Sequence, residues 1–231
     1  SDMRSKKEMK QLCIVSFLFL TACQKTAEPL ETPSGKLKPI QTITESDDIE
    51  GELDAKADIK EKATSMEYDI LCKKDGNVDD VFVEKVNQEL NKLPQNIKTA
   101  FLKDGWDIYV TDMDINLTYY DGKYGGVMGS TNYREGRILI EDREEAVTQA
   151  PLHEIGHWLD FHHGYITDTN PFLNVFASDY GSFVNAYDIS TIYDRKELFA
   201  EGFWQYIINP QKLEMTAPNL YWFLKDIVSE T

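Results

Sequence analysis

Cysteine, histidine and positive charge are all scarce in this sequence. Its 231 residues include 3 cysteines and 4 histidines, and 24 basic side chains face 40 acidic ones, for a formal net charge of -16 at pH 7. This balance argues against nucleic acid as a partner, because phosphate backbones bind to basic surfaces. Anionic lipid headgroups would repel the same surface. A neutral or cationic peptide is the more natural partner for such a chain.

The sequence also lacks an apolar run long enough to cross a bilayer. Its amino-terminal run, Leu12–Leu20, follows a basic segment that contains Arg4 and three lysines. A basic segment followed by a short apolar run predicts a signal peptide, here over residues 1–22. We expect Met3 to be the natural start and Ser1-Asp2 to be a cloning remnant.

The distribution of the three cysteines favours a lipoprotein. Leu20-Thr21-Ala22-Cys23 resembles a bacterial lipobox, in which the chain is cut before the cysteine and the sulfur is acylated. We therefore expect a lipid anchor on Cys23 and a location at the extracellular face of a bacterial cell membrane. An ordinary signal peptide with an unrelated cysteine is the alternative. Cys13 lies inside the signal peptide, so Cys72 alone remains and cannot form an internal disulfide.

Composition divides the rest of the chain into a tether and a domain. Residues 23–65 are rich in Thr, Ser, Glu and Lys and have almost no aromatic side chains. Such a segment buries too little apolar surface to fold, which predicts a flexible tether. Residues 66–231 form the predicted domain. We expect this domain to be a monomer.

Apolar periodicity predicts an α+β fold with a small mixed sheet and a mainly helical C-terminal half. One strand is expected at Trp106–Thr111, followed by a hairpin with arms at 126–133 and 137–141. Val127 to Thr131 would suit either an edge strand that pairs with an extended peptide or an ordinary sheet edge. Helices are predicted at Val78–Leu93, Ile97–Leu102, Glu144–Phe161, Pro171–Phe183, Glu197–Ile208 and Leu220–Val228.

All four histidines lie within eleven residues, between His153 and His163. The segment His153-Glu154-Ile155-Gly156-His157 is a complete HExxH motif. Residues i and i+4 of a helix lie on one face, so both imidazoles can bind the same ion. Glu154 lies further round the helix, where it can contact a water molecule without binding the ion itself. This is the layout of a zinc hydrolase.

Catalytic zinc usually has three protein ligands, and the sequence offers three candidates for the third. His163 lies where HExxHxxGxxH would place its last histidine, although Asp160 replaces the glycine that lets the chain turn. Asp160 is the second candidate. The third, which we favour, is Glu197, on a nearly apolar helix where Glu197, Glu201 and Gln205 form one narrow polar stripe. Buried carboxylates are costly unless they are paired or bind a metal.

These motifs together resemble the lethal-factor-like zinc metalloproteases, which include the catalytic domain of anthrax lethal factor and the secreted Pro-Pro endopeptidases. In that family, HExxH is followed by a tyrosine, by E-[FL]-FAE-[ASG]-F on a late helix, and by a closing helix with aromatic residues. The matching segments here are His153–His157, Tyr193, Glu197–Phe203 and Leu220–Val228. The resemblance covers roughly residues 78–228.

The resemblance implies a zincin-like metalloprotease domain and a zinc metalloendopeptidase of the gluzincin type. It implies that His153, His157 and Glu197 bind a Zn²⁺ cofactor. Glu154 would be the general base, and Glu201 would hydrogen-bond to a ligand histidine. The implied substrates are extended protein segments, including proline-containing ones. A surface lipoprotein that binds zinc without catalysis is the alternative.

The family pattern also implies a tyrosine that donates a hydrogen bond to the oxyanion. Tyr193 is the first candidate, although it precedes Glu197 by four residues where the family usually has about seven. Tyr187 is the second candidate.

Overall fold

The structure, a computed structural model, describes residues 69–124, 126–189, 192 and 194–231. The predicted signal peptide, lipidation site and tether lie outside these residues, so their assignment remains a prediction. Within the described residues, no helix is both long enough and apolar enough to span a bilayer.

A four-stranded mixed sheet forms one side of the domain. Its strands are β1 (Lys73–Asp75), β2 (Asp107–Thr111), β3 (Gly129–Asn132) and β4 (Arg137–Glu141), in the order β1-β2-β4-β3. The β1-β2 and β2-β4 pairs are parallel, whereas β3 and β4 form an antiparallel hairpin. Strand β3 is therefore at one edge, and its outer side pairs with no strand in the described part of the chain.

Helices make up most of the remaining structure, as predicted for the C-terminal half. They are α1 (Asp80–Leu90), α2 (Gln95–Lys103), α3 (Ile115–Tyr120), α4 (Glu144–His162), α5 (Asn170–Tyr187), α6 (Arg195–Ile208), α7 (Pro210–Thr216) and α8 (Pro218–Glu230), with a 3-10 turn at Ile166–Asp168. The predicted α+β fold is confirmed.

Helix α4, which carries the HExxH motif, lies at the centre of the domain. It packs against α6 and α1 and against strands β3 and β4. Thirteen of its 19 residues are buried, so it is apolar or enclosed on nearly every side. Trp158 attaches α4 to helix α2. Its indole packs edge-on to Phe101, and its Nε1 donates a hydrogen bond to the Asp104 side chain at 3.1 Å.

The ends of α4 follow from local chemistry. Glu144 and Glu145 occupy its first turn, where negative charge is favourable beside the free backbone N–H groups. Pro151 lies inside the helix and does not start it. Gly164 follows the last turn at φ +70°, a left-handed conformation that glycine adopts readily.

A buried carboxylate joins the last helix to α5. Asp179 accepts a hydrogen bond from the backbone N–H of Leu220 at 2.9 Å and another from the Asn219 side chain at 2.8 Å. It thereby caps the start of α8. A Cβ on Gly202 would lie 2.7 Å from the Leu220 side chain, so α8 packs directly onto α6.

Candidate metal centre

Two histidines one helical turn apart face the same point. His153 and His157 are almost fully buried on α4, and their Nε2 atoms lie 3.1 Å apart. The i, i+4 spacing predicts this arrangement, because successive turns place such side chains one above the other. The two ring planes are nearly perpendicular, at 78°, so the imidazoles approach by their nitrogen edges.

Glu197 reaches the same point from α6. One carboxylate oxygen lies 3.4 Å from His153 Nε2 and the other lies 3.5 Å from His157 Nε2. Asp194 starts α6 by accepting hydrogen bonds from the backbone N–H groups of Lys196 and Glu197, at 2.8 and 3.0 Å. This cap places Glu197 in the first turn, facing α4.

The ligand atoms of the three side chains are about as far apart as those of a zinc site, with a different Glu197 oxygen facing each imidazole. Zinc–ligand bonds of about 2.0–2.1 Å place neighbouring ligand atoms of a tetrahedron about 3.3–3.4 Å apart. The observed separations are 3.1, 3.4 and 3.5 Å. Among the described residues, His153, His157 and Glu197 are the group of side chains that could hold an ion together. Two neutral nitrogen donors and one carboxylate suit zinc.

Glu201 lies one turn after Glu197 on α6 and supports the first histidine. Its Oε2 is 3.2 Å from His153 Nδ1, and its Oε1 accepts a hydrogen bond from Gln205 Nε2 at 3.3 Å. A carboxylate on Nδ1 leaves Nε2 as the nitrogen available for an ion and fixes the ring orientation. The polar stripe predicted on this helix thus points inward and is buried.

Burial and charge shift the proton affinities of these groups in different directions. Burial raises the pKa of Glu197, and the neighbouring Asp194 and Glu154 charges add to this, although His153 opposes it. Burial alone would lower the pKa of His153, but the Glu197 and Glu201 carboxylates outweigh it and raise that pKa. The pKa of His157 is lowered by burial and by the His153 and Lys196 charges.

Glu154 lies beside the cluster and is fully enclosed. Burial raises the pKa of its carboxyl group, whereas the His153 charge and a hydrogen bond from Thr131 act in the opposite direction. Its Oε1 has no hydrogen-bond partner among the described residues. A buried carboxylate with raised proton affinity and one free oxygen is suited to accept a proton.

The other two candidates for a third ligand are engaged elsewhere. Asp160 accepts hydrogen bonds from the backbone N–H and the hydroxyl of Thr167, at 2.8 and 3.0 Å. His163 Nε2 lies 2.9 Å from the Thr231 hydroxyl. Of the three, the structure brings Glu197 to the paired imidazoles, as the sequence favoured.

The predicted oxyanion tyrosine is not settled by the described residues. Tyr193 lies outside them. Tyr187 is at the end of α5, where its ring packs against Phe183 and under the Lys212 ammonium group, 3.9 Å from the ring centre. The Tyr187 side chain shares no hydrogen bond with the three clustered residues.

Two residues near Glu154 were not singled out from the sequence. Gly129 and Thr131 alternate on β3, and both face the Glu154 side chain. A short Gly-x-Thr segment on a hairpin occurs in many proteins, so it carries no recognisable signal. Only the packing of β3 on α4 reveals the contact.

Helices α4 and α6 come very close together at Gly156. A Cβ at this position would lie 2.7 Å from the Cα of Ala200 and 3.1 Å from its carbonyl oxygen. Gly156 lies between the two histidines, and Ala200 lies between Glu197 and Glu201. The absence of a side chain at Gly156 therefore sets the separation of the two helices where the ligands meet.

Two comparisons with known proteins found similarities. Residues 137–227 match the family model described as "Anthrax toxin lethal factor, N- and C-terminal domain". Among solved structures, the Pro-Pro endopeptidase PPEP-2 from Paenibacillus alvei is similar, with 19% identity and a TM-score of 0.54 over 69% of this chain and 96% of that chain. No curated protein sequence matches. The predicted resemblance to the lethal-factor-like zinc metalloproteases is confirmed, and so is the fold.

We expect Gly156→Ala to weaken zinc binding about 10-fold or more. The added methyl group cannot fit against Ala200, so the helices must separate and Glu197 must move away from the imidazoles. The same strain should lower the free energy of unfolding by about 1–3 kcal/mol. Competition with a chelator and denaturant unfolding measure the two effects.

Gly181→Ala on α5 is the matched control, because nothing lies within 4 Å of a Cβ at that site. It should leave zinc affinity unchanged and stabilise the helix by about 0.5–1 kcal/mol. Equal zinc affinity in the Gly156→Ala and wild-type proteins would contradict the proposed role of the close contact.

Proposed function

We propose that this protein is a zinc-dependent metalloendopeptidase that hydrolyses peptide bonds in extended protein segments. The observation that carries the proposal is the convergence of His153, His157 and Glu197, with a Glu197 carboxylate oxygen within 3.5 Å of each imidazole Nε2. Glu154 adds to it, because an enclosed carboxylate with a free oxygen lies beside these ligands. The matches to the lethal factor model and to a Pro-Pro endopeptidase fold support the same reaction class.

His153, His157 and Glu197 would hold the ion, with Glu201 orienting the first imidazole. When bound, zinc supplies a Lewis acid that polarises the scissile carbonyl group and makes a water molecule easier to deprotonate. Both imidazoles must be neutral to bind it, whereas Glu197 must be ionised. With three protein ligands, such a site would keep one position open for water or substrate.

Glu154 would act first as general base and then as general acid. Its carboxylate takes a proton from the attacking water and later passes it to the amine of the departing peptide. The raised pKa that burial gives to Glu154 favours both steps, because the group then binds and releases a proton closer to neutral pH. We further propose that Tyr193 donates a hydrogen bond to the developing oxyanion.

The substrate would bind along β3. The outer side of this strand is unpaired in the described residues, and the strand packs directly against α4. An extended peptide can add to such an edge through main-chain hydrogen bonds. Since the similar solved structure is a Pro-Pro endopeptidase, proline-containing segments are the first substrates to test.

A zinc-binding lipoprotein without catalysis is the alternative function. A structural zinc site is normally closed by a fourth protein ligand. In the described residues, three side chains form the group that could hold an ion. Neither zinc storage nor folding requires a buried carboxylate beside the ligands. The catalytic proposal accounts for Glu154, and the alternative does not.

We expect Glu154→Gln to abolish peptide cleavage while zinc content stays at the wild-type level. Removing a general base typically lowers the rate by about 10²–10⁴-fold. The assay is cleavage of a peptide library by residues 66–231, with zinc and with a chelator. Glu145→Gln on the same helix is the control, because Glu145 is exposed and forms only a surface ion pair with Arg143. Cleavage that survives the chelator, or a fully active Glu154→Gln variant, would refute the mechanism.

We expect zinc affinity to rise as pH increases through the Glu197 pKa of about 7 towards the His153 pKa of about 10. The raised pKa values mean that His153 and Glu197 keep their protons to higher pH than in water. Those protons compete with the cation and must leave on binding, so higher pH favours the bound state. Calorimetry in buffers of different ionisation enthalpy counts the released protons. Binding with no net proton release across this range would show that the ligands are already deprotonated.

We also propose that Cys23 anchors the protein to the extracellular face of a bacterial membrane. The supporting observation is the lipobox-like Leu20-Thr21-Ala22-Cys23 after a basic and apolar segment. Cys23→Ala should move the protein from the membrane fraction to the soluble fraction, as immunoblotting of fractionated cells would show. Cys13→Ala should leave it membrane-bound, because that residue lies in the segment removed on processing. Membrane association that persists in the Cys23→Ala variant would disprove the anchor.

A further inference from the structure

The inward-facing residues of β3, Gly129 and Thr131, contact the Glu154 side chain. Side chains alternate along the strand, so Gly129 and Thr131 face α4 whereas Ser130 and Asn132 are half-buried on the other side. Thr131 Oγ1 donates a hydrogen bond to Glu154 Oε2 at 2.6 Å and lies 3.2 Å from the Glu154 carbonyl oxygen. Both partners are almost fully buried.

Gly129 gives the carboxylate the space that it occupies. A Cβ at this position would lie 2.8 Å from Glu154 Oε1 and 2.9 Å from its Cγ. The side chain of Glu154 therefore lies flat against the backbone of the strand. A larger residue at position 129 would push the carboxylate off the strand and away from Thr131.

These contacts make the two oxygens of Glu154 unequal. Oε2 is held by a short hydrogen bond to Thr131, whereas Oε1 has no hydrogen-bond partner in the described part of the chain. A hydrogen bond to one oxygen fixes the rotation of the carboxylate about its last bond. The free oxygen is then presented in one direction, which is what a proton transfer over hydrogen-bond distance requires.

We propose that Thr131 is a positioning residue for Glu154, holding one carboxylate oxygen so that the other faces the attacking water. The inference rests on the proposed function, since it assigns Glu154 the role of general base. The strand that would pair with the substrate backbone is thus also the strand that orients the base. Substrate and proton acceptor are fixed relative to each other by two residues of one strand.

A purely structural hydrogen bond would give a different experimental signature. If Thr131 only satisfied a buried carboxylate, its loss would lower stability and leave the turnover of the folded enzyme unchanged. If it orients the base, turnover falls while substrate binding and zinc content do not. The split between kcat and KM separates the two roles.

The test compares Thr131→Val and Thr131→Ser in the full-length protein, with a proline-containing peptide identified by library cleavage as the substrate. Valine keeps the shape and strand preference of threonine but removes the hydroxyl group. We expect kcat to fall about 10–100-fold in Thr131→Val, as for loss of a hydrogen bond to a charged group. KM and zinc content should stay within about twofold of the wild-type values. Thr131→Ser, which restores the hydroxyl group, should recover most of the lost kcat.

Thr111→Val on β2 is the matched control. Thr111 is also a buried threonine of the same sheet, and its hydroxyl accepts a hydrogen bond from the Met113 backbone N–H. This variant should lose stability without loss of kcat. A wild-type kcat in Thr131→Val, or no recovery in Thr131→Ser, would overturn the positioning role alone. Absence of zinc-dependent cleavage by the wild-type protein would refute the proposed function, and the positioning role with it.

Discussion

The candidate metal centre lies where the backbones of α4 and α6 come very close together, at Gly156 and Ala200. Gly156 and Ala200 provide this closeness, because neither places a large side chain in the α4–α6 contact. The ligands flank the contact on both helices. The rest of the centre depends on this one steric condition.

The surrounding structure serves to keep that contact in place. Trp158 attaches α4 to α2, and Leu220 of α8 packs against Gly202 of α6. Asp179 caps α8, which holds Leu220 where it packs. Each of these interactions limits how far α4 and α6 can move apart. A close-packed interior transmits such constraints over several residues.

Burial of several ionisable groups in one place has a cost that a cation would offset. Glu154, Glu197 and Glu201 are all buried near two imidazoles. Taking carboxylates out of water is unfavourable unless charge or hydrogen bonds compensate. Here Thr131 and Gln205 each satisfy one carboxylate oxygen, and His153 lies between two carboxylates. A divalent cation at the centre would compensate the remaining negative charge.

Long periodic segments were predictable, and short ones were not. The helices α4, α6 and α8 appear close to their predicted limits, because each has a continuous apolar pattern. Strand β1 and the helices α3 and α7 have three to seven residues and were not predicted. Segments of this length contain too few residues for a period to emerge, and tertiary contacts stabilise them. The Gly129 and Thr131 contacts with Glu154 also depend on tertiary packing, so the sequence could not predict them.

The sequence by itself determined that His153 and His157 share a helix face with Glu154 beside them, and that Glu197 and Glu201 form a polar stripe on a second helix. These are properties of spacing along one helix, where the backbone geometry is fixed. Tertiary structure alone decided that the two faces meet. The distance between residues 44 positions apart depends on how every intervening element packs, and spacing along the chain carries no information about it.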